Sequence, residues 1–356
     1  MLALDQTKNL EQLLDEARNR IEVADAELTE ARRRRSAIAS VLRTEFPGCR
    51  VYVNGSIAHG DALTPLSDVD LGVVVPDPDG EFGPGKKGPT VLKERAAAAI
   101  RTGLKEAYGD LAVYVEGRKR SILIRFRDPV SPGLPDFTAD VIVAVDNPSA
   151  AGLYIPRHSD WDRSHPERHT ELVLNANKVS RATYARTVRL LKHWNRNNGK
   201  PLCSWNIKAL ALTCLDCPAT PMSGMCCWFE HAIDRLAIEE TPDPAGVAAN
   251  PIKLNEKMTR TEVVRRLRRA QEGLARAAAY ERDGYPFLAH NELAKFFNDE
   301  QMLPAPSPID VLTEEARRVN DRKKVDSKAY GGPALLSGTG ISAGQTRINA
   351  RSWGIG

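Results

Sequence analysis

Residues 55–71 read GSIAHGDALTPLSDVDL, and this stretch decides the fold expected for the chain. A small Gly-Ser turn opens the stretch, and two carboxylates, Asp68 and Asp70, lie at its end. The residues at 71–75, LGVVV, are typical of a buried β-strand. Because side chains alternate between the two faces of a strand, Asp68 and Asp70 are predicted to point the same way.

This pair of carboxylates predicts a cation site. Two adjacent negative charges repel each other unless a cation lies between them, and Mg²⁺ is the usual partner of clustered carboxylates. A later apolar run, FTADVIVAV at 137–145, contains one acid, Asp140. A buried carboxylate is costly unless it is paired or metal-bound, so Asp140 is a candidate third ligand. The alternatives are an incidental Asp pair in a solvated turn and an edge-strand Asp140 that faces water.

Composition indicates an ordinary soluble protein. The chain has 356 residues, of which 42% are hydrophobic and 27% charged, with a net charge of +4 and a pI near 8.7. This mild positive charge suits anionic substrates such as nucleotides and is too weak to indicate a nucleic-acid partner, which is not expected. No signal peptide or membrane span is predicted. Six cysteines without a disulfide framework indicate a cytoplasmic location.

The pattern along the chain predicts an α+β protein. Residues 1–150 are predicted to form a mixed sheet with flanking helices and a long N-terminal helix, followed by an all-helical lobe at 151–326 and a flexible tail at 327–356. The N-terminal helix is expected over 6–45, with a possible break, because this segment lacks Gly and Pro. Its basic run at 32–35 is interpreted as a solvated helix face.

The spacing of these motifs resembles a known superfamily. Gly-Ser, eleven intervening residues, DVD and a later Asp140 resemble the signature of the DNA polymerase β-type nucleotidyltransferases. Four later segments are similar to the oligoadenylate synthase and cyclic GMP-AMP synthase branch, and within it to the bacterial CD-NTases: IPRHSDWDRSHPERH (155–169), VRLLKHWN (188–195), CSWNIKAL (203–210) and PDPAG (242–246). The resemblance implies a bilobal polymerase β-like fold.

The resemblance also implies roles for the acids. Asp68 and Asp70 would bind two Mg²⁺ ions, for which Mn²⁺ can substitute, and Asp140 would complete the site of the ion that activates the attacking hydroxyl. These three residues are the expected catalytic and metal-binding groups. Nucleotidyl transfer is an in-line displacement, and two metal ions stabilise its entering and leaving oxygens.

Four further residues are expected to bind the nucleotide. The resemblance implies that Gly55 and Ser56 hold the β- and γ-phosphates of the donor. It also implies that Lys192 reaches the triphosphate from the helical lobe and that Ser204 contacts a phosphate. From the residues alone, Lys192 is equally well a solvated helix charge, and Ser204 is equally well a plain N-cap.

The function implied is the joining of nucleoside triphosphates, such as ATP and GTP, into a cyclic di- or oligonucleotide second messenger with release of pyrophosphate. Bacterial relatives use such products in antiphage (CBASS) signalling. One alternative is a nucleotidyltransferase that modifies a tRNA, a protein or a small molecule. Another is a non-catalytic nucleotide- or RNA-sensing scaffold, against which the presence of all three acids argues.

Two further partners follow from the resemblance: an operon-encoded effector and a ubiquitin-transfer-like enzyme that conjugates the C-terminal Gly356. The alternative for this terminus is an ordinary disordered tail. Zinc is conceivable in one cysteine-rich segment, but a single CxxC motif argues against it. Its candidate ligands are Cys214, Cys217, Cys226, Cys227 and His231.

Overall fold

A computed structural model describes residues 8–255 and 257–329. The strands, in chain order, are β1 (Arg50–Asn54), β2 (Asp68–Val75), β3 (Ala112–Tyr114), β4 (Ile122–Arg125), β5 (Thr138–Asp146), β6 (Leu153–Arg157) and β7 (Asp160–Ser164). They form one mixed sheet in the order β1-β2-β5-β4-β3, and β6 and β7 extend it from the end of β5. Among the strands of the described residues, only β2 and β5 pair in parallel, at the centre of the sheet.

The helices, in chain order, are α1 (Leu10–Arg20), α2 (Asp25–Glu45), α3 (Gly55–His59), α4 (Thr90–Leu104), α5 (Pro166–Val179), α6 (Thr183–Asn197), α7 (Ser204–Ala211), α8 (Pro221–Ile238), α9 (Arg260–Arg282), α10 (Pro286–Phe297) and α11 (Pro308–Ala329). Proline at the first helical position begins α5, α8 and α10, where its missing N–H costs nothing. Residues 327–329 of the predicted tail belong to α11, and residues 330–356, with the Gly356 prediction, lie outside the described residues.

The mixed α+β fold is confirmed, with a local difference in the segment after residue 150. The segment after residue 150 was predicted to be helical, but β6 and β7 form a hairpin there. Its sequences, LYIPR and WDRS, contain a proline and several charges, as edge strands tolerate and central strands do not. The sheet therefore continues to Ser164.

One core lies between the sheet and helices α2 and α4. The basic run in α2 is not entirely solvated as predicted, because Arg34 is fully buried in this core. Its guanidinium pairs with Asp136 at 2.7 Å and lies over the rings of Phe126 and Phe137, each 4.3 Å from the ring centroid. Opposite charge and aromatic faces make burial of this cation tolerable.

The second core is helical and contains α1, α6, α7, α8, α9 and α10. The predicted N-terminal helix is broken after Arg20, and its two parts go to different cores. α1 buries Leu10, Leu13 and Leu14 against the helical lobe, whereas α2 packs on the sheet. No helix within the described ranges combines the length and apolar character that a membrane crossing requires.

Candidate active site

The two central strands bring the three predicted acids together. In the parallel pairing of β2 with β5, Asp70 lies directly opposite Asp140, and Asp68 lies opposite Thr138. Asp68 and Asp70 are two residues apart, so they share the face that Asp140 also occupies. The acids therefore stand at one end of the parallel pair, at the edge of the sheet that faces α3.

Gly55 is the residue that makes room for this cluster. It follows β1, where Asn54 pairs with Asp70, and its φ of +80° lies in the left-handed region. A β-carbon at Gly55 would overlap the Asp70 carboxylate. Glycine is therefore needed here for both its backbone conformation and its lack of a side chain.

The negative charge of the three acids is compensated only in part. Burial is the largest cause that raises the pKa of Asp70 to about 7, and repulsion from Asp68 and Asp140 adds to it. Arg118, in the turn between β3 and β4, donates from Nη2 to Asp140 Oδ1 at 3.0 Å. Ser121 Oγ donates to the same oxygen at 3.0 Å.

As the side chains stand, no group of three or more His, Cys, Asp or Glu residues within the described ranges is arranged to hold a metal ion. The Asp140 carboxylate is engaged by Arg118 and Ser121, and Asp68 accepts a hydrogen bond from Ser67 Oγ at 3.1 Å. The donor set nevertheless fits a hard divalent cation, because it consists of three carboxylates on adjacent strand positions. A cation would also relieve the repulsion that raises the Asp70 pKa.

Ser56 lies in the first turn of α3, next to Gly55. Its carbonyl accepts a hydrogen bond from the Asp61 backbone N–H at 3.0 Å, which closes the turn after α3. Among the described residues, no hydrogen bond involves the Ser56 hydroxyl, so it can donate to a ligand.

Lys192 lies on α6 and reaches the turn after α3, where its side chain is only 10% exposed rather than solvated. Its ammonium donates to Asp61 Oδ1 at 2.7 Å and to the Asp61 carbonyl at 2.8 Å. An ammonium has three donors, so one remains for another acceptor. Burial lowers the pKa of Lys192, although the attraction of Asp61 opposes this shift.

Asp61 joins a second lysine from the helical lobe. Its carboxylate is fully buried, and Oδ2 lies 2.9 Å from Lys208 Nζ of α7. Lys208 Nζ also lies 2.8 Å from His59 Nδ1, and burial and the neighbouring lysine lower the pKa of His59 to about 3. His59 is therefore neutral and accepts from Lys208, while its Nε2–H faces Thr170 Oγ1 at 3.2 Å. Asp61, Lys192, Lys208 and His59 are called the lysine cluster below.

Ser204 is the first residue of α7 and is exposed. The interpretation of Ser204 as the N-cap is wrong, because Cys203 occupies that position and its thiol accepts from the Asn206 N–H at 3.4 Å. Ser204 therefore does not cap α7. Its hydroxyl lies at the positive end of α7, four residues before Lys208.

Comparisons with known proteins agree with this geometry. A family model described as a nucleotidyltransferase domain matches residues 35–131, which include Gly55, Ser56, Asp68 and Asp70. The chain contains a nucleotidyltransferase domain. It is therefore an enzyme of the nucleotidyltransferase type. A separate search of curated proteins found no match to its sequence.

Solved structures have a fold similar to that of this chain. Escherichia coli MS115-1 CdnC with ATP is 14% identical, with a TM-score of 0.61 over 83% of this chain and 99% of that chain. Bradyrhizobium diazoefficiens CdnG with GTP is 15% identical, with a TM-score of 0.59 over 83% and 97%. Vibrio cholerae DncV, a cyclic AMP-GMP synthase, is 14% identical, with a TM-score of 0.52 over 81% and 85%. The predicted polymerase β-like fold is confirmed.

Sequence reasoning missed two members of the lysine cluster, Asp61 and Lys208. Neither Asp61, in the turn after α3, nor Lys208, on the largely apolar α7, is among the site residues that the sequence predicts. The signal was present in that helix, because Lys208 is one cation within SWNIKALALTCL. A lysine on an apolar helix face requires a buried counter-charge, and Asp61 supplies it.

The cysteine-rich segment lies on α8 and the turn before it. Cys214 and Cys227 are close, since the Cys227 thiol donates to the Cys214 carbonyl at 3.3 Å and the Cys214 thiol donates to the Leu210 carbonyl at 3.5 Å. His231 Nε2 lies 2.7 Å from Thr213 Oγ1. These side chains do not form a metal-holding group within the part of the chain that the structure describes.

Proposed function

We propose that this protein joins nucleoside triphosphates into a cyclic di- or oligonucleotide, with release of pyrophosphate, as a second messenger in bacterial antiphage signalling. The observation that carries the proposal is the placement of Asp68, Asp70 and Asp140 on one face of β2 and β5, with Gly55 against Asp70. The relatives whose structures hold ATP or GTP, and the relative described as a cyclic AMP-GMP synthase, support this substrate class.

The three acids would hold divalent metal, for which we propose two Mg²⁺ ions. Bound metal supplies charge stabilisation at the transferring phosphate and acidifies the attacking hydroxyl. The role of the protein is to hold the three carboxylates close together in their ionised form. The pKa of Asp70 near 7 means that protons compete for this site below neutral pH.

The donor triphosphate is proposed to lie along the start of α3 and beneath the helical lobe. Ser56 supplies a free hydroxyl, and the turn at Gly55 allows close approach of the phosphates. The lysine cluster carries two ammonium groups and one carboxylate, since His59 is neutral, and so has a net charge of +1. This excess positive charge lies close enough to the acids to oppose the rise in the Asp70 pKa.

Arg118 is proposed to be the counter-ion of Asp140 before substrate binds. Its guanidinium is partly exposed and sits on a turn, so it can leave Asp140 and approach a phosphate. Ser204 at the start of α7 is proposed as a further phosphate contact. The nucleotide would thus be bound from both lobes, with the acids and Ser56 on one side and Lys192 and Ser204 on the other.

The test is incubation of the full chain with labelled nucleoside triphosphates and Mg²⁺ or Mn²⁺, followed by mass spectrometry of the products. A phosphatase-resistant product that disappears in the Asp68→Ala/Asp70→Ala variant supports the proposal. The matched control is Asp160→Ala, an exposed acid on β7. Label transferred only to RNA, protein or a small molecule, or no product from any nucleotide pair, would contradict it.

Partner proteins are also proposed. The E. coli relative is described in complex with a HORMA protein, and an effector that responds to the product is expected of a signalling enzyme. A conjugating enzyme acting on Gly356 stays a prediction. Purification of the full chain with its genomic neighbours, compared with a chain ending at residue 329, tests whether the C-terminus is required for any complex.

A further inference from the structure

A second group of cations surrounds a cavity in the helical lobe. The cavity has a volume of about 530 Å³ and lies between α9, α10 and the end of α6. Arg266, Arg269 and Arg276 of α9 line it, with Arg265 beside them and Lys295 of α10 opposite. Residues spaced by three, four or seven positions share one face of a helix, so α9 directs these arginines towards the same space.

The cluster is not electrically neutral. Glu262 accepts from two of the arginines at 2.8 Å, and Glu292 accepts from Arg276 at 2.9 Å and from Lys295 at 3.1 Å. Arg269 lacks a carboxylate partner among the described residues. Five cations and two carboxylates leave a net charge of +3 around one cavity. Such an excess favours an anion.

Gly273 keeps the cavity open. It is a buried glycine inside α9, where glycine is less favourable than alanine. A β-carbon there would meet only Arg276 Nη2, at 3.8 Å, so packing against other elements does not demand a glycine. Trp194 of α6 and Phe296 of α10 lie at the base of the cavity, stacked with their ring centroids 6.0 Å apart.

This cavity is separate from the acids. Trp194 lies two residues after Lys192 on α6. Two positions along an α-helix correspond to a rotation of about 200° around its axis, so the two side chains project from opposite faces of the helix. Lys192 faces Asp61 and the catalytic lobe, whereas Trp194 faces α9 and α10. The cavity and the lysine cluster therefore lie on opposite sides of the same helix.

We propose that this cavity binds a small phosphate-bearing ligand at a second site, distinct from the site of nucleotidyl transfer. Arginine guanidinium groups bind phosphate oxygens with paired hydrogen bonds, which lysine cannot do. The volume lies within the range of small-molecule sites, so the occupant is a nucleotide or a free phosphate compound rather than a nucleic-acid duplex. The proposal does not require the chain to transfer nucleotides.

The experiment is calorimetric titration of the full chain with pyrophosphate, with AMP and with adenosine, in a buffer containing EDTA. Pyrophosphate and AMP are expected to bind, and adenosine is not. The Arg269→Gln variant is expected to weaken binding about 10- to 100-fold, the effect of losing a charge-assisted hydrogen bond. Its control is Arg268→Gln, an exposed arginine next in sequence that does not line the cavity.

A second variant tests the space rather than the charge. Gly273→Leu is expected to fill the cavity and abolish binding, whereas Ala275→Leu, exposed on the same helix, is expected to leave it unchanged. Ser56→Ala should also bind normally. Tighter binding of AMP than of pyrophosphate would identify a nucleotide as the ligand, and the reverse would identify a free phosphate compound.

Three results would overturn the proposal. One is that neither anion binds at millimolar concentration. Another is that Arg268→Gln weakens binding as much as Arg269→Gln, which would indicate general surface attraction. The last is that Ser56→Ala abolishes binding while Gly273→Leu preserves it, which would place the ligand at the transfer site. Because no turnover is measured, failure here leaves the proposed function to its own test.

Discussion

Asp61 is predicted to be the charge on which the junction of the two lobes depends. Its carboxylate is fully buried and compensates two ammonium groups from the helical lobe, Lys192 at 2.7 Å and Lys208 at 2.9 Å. The Asp61→Asn substitution preserves shape but leaves both lysines buried without a counter-ion. Removing one partner of a buried ion pair typically costs about 3–5 kcal/mol. The free energy of unfolding is expected to fall by this amount.

The measurement is urea unfolding, with Glu81→Gln as the matched control. Glu81 pairs with Lys87 at 2.8 Å, but both side chains are at least half exposed. Loss of such a surface pair is expected to cost about 0–1 kcal/mol. The double variant Asp61→Asn/Lys208→Met should recover part of the loss, because it removes one of the uncompensated charges.

The sign of the pH dependence gives a further check. Burial lowers the pKa of Lys192 in the folded protein, and removal of Asp61 lowers it further. The unfolded chain then binds more protons than the folded chain, so stability rises with pH. The deficit of Asp61→Asn should shrink as pH approaches the ordinary lysine pKa of 10.5. Equal losses for Asp61→Asn and Glu81→Gln, or a deficit that does not depend on pH, would refute the reasoning.

Four more predictions concern the acids. Gly55→Ala should abolish activity, because its β-carbon would overlap the Asp70 carboxylate. The control Gly85→Ala has a similar φ of +74° but no atom within 4 Å, so it should keep its activity and lose only about 1–2 kcal/mol of stability. Equal activity in both variants would contradict this prediction. Asp70→Asn should stabilise the metal-free protein at pH 8 by about 1–3 kcal/mol. Near pH 4 the substitution should not change the stability, because Asp70 in the folded protein has a pKa of about 7 and is already protonated there. Urea unfolding at both pH values checks the sign. Activity should fall as pH decreases through 7, and a flat profile between pH 8 and 5 would argue against Asp70 as the titrating group. Arg118→Gln should tighten Mn²⁺ binding about 2- to 5-fold in a titration without nucleotide, because it frees Asp140 from a partly exposed ion pair.

The sequence predicted the acids because their information is local. Alternation along a strand places Asp68 and Asp70 on one face, and an acid in an apolar run marks Asp140. The Gly55 position followed from the motif, but its steric reason did not. The overlap with Asp70 depends on the pairing of β1 with β2, which a single strand does not reveal.

The parts that could not be predicted depend on contacts between distant residues. The pairing of Asp61 with Lys192 and Lys208 joins residues 131 and 147 positions apart, and no local pattern links them. Burial of Arg34 depends on Asp136, about a hundred positions away. In each case the charged residue needs an oppositely charged partner when it is buried, but the identity of that partner depends on the fold.

The position of α1 has a consequence for synthesis. The first helix of the described chain completes the core formed by the last helices, since the Leu10 N–H donates to Glu281 at 2.6 Å and Arg20 donates to the Met302 carbonyl at 3.0 Å. Both contacts span more than 270 positions. On the ribosome, α1 is made before every helix of this core, of which α6 and α8 come earlier and α9 and α10 come later. The packing of α1 therefore stays incomplete until α9 and α10 are made, and closure of the helical lobe becomes a late, high-contact-order step that should limit the folding rate.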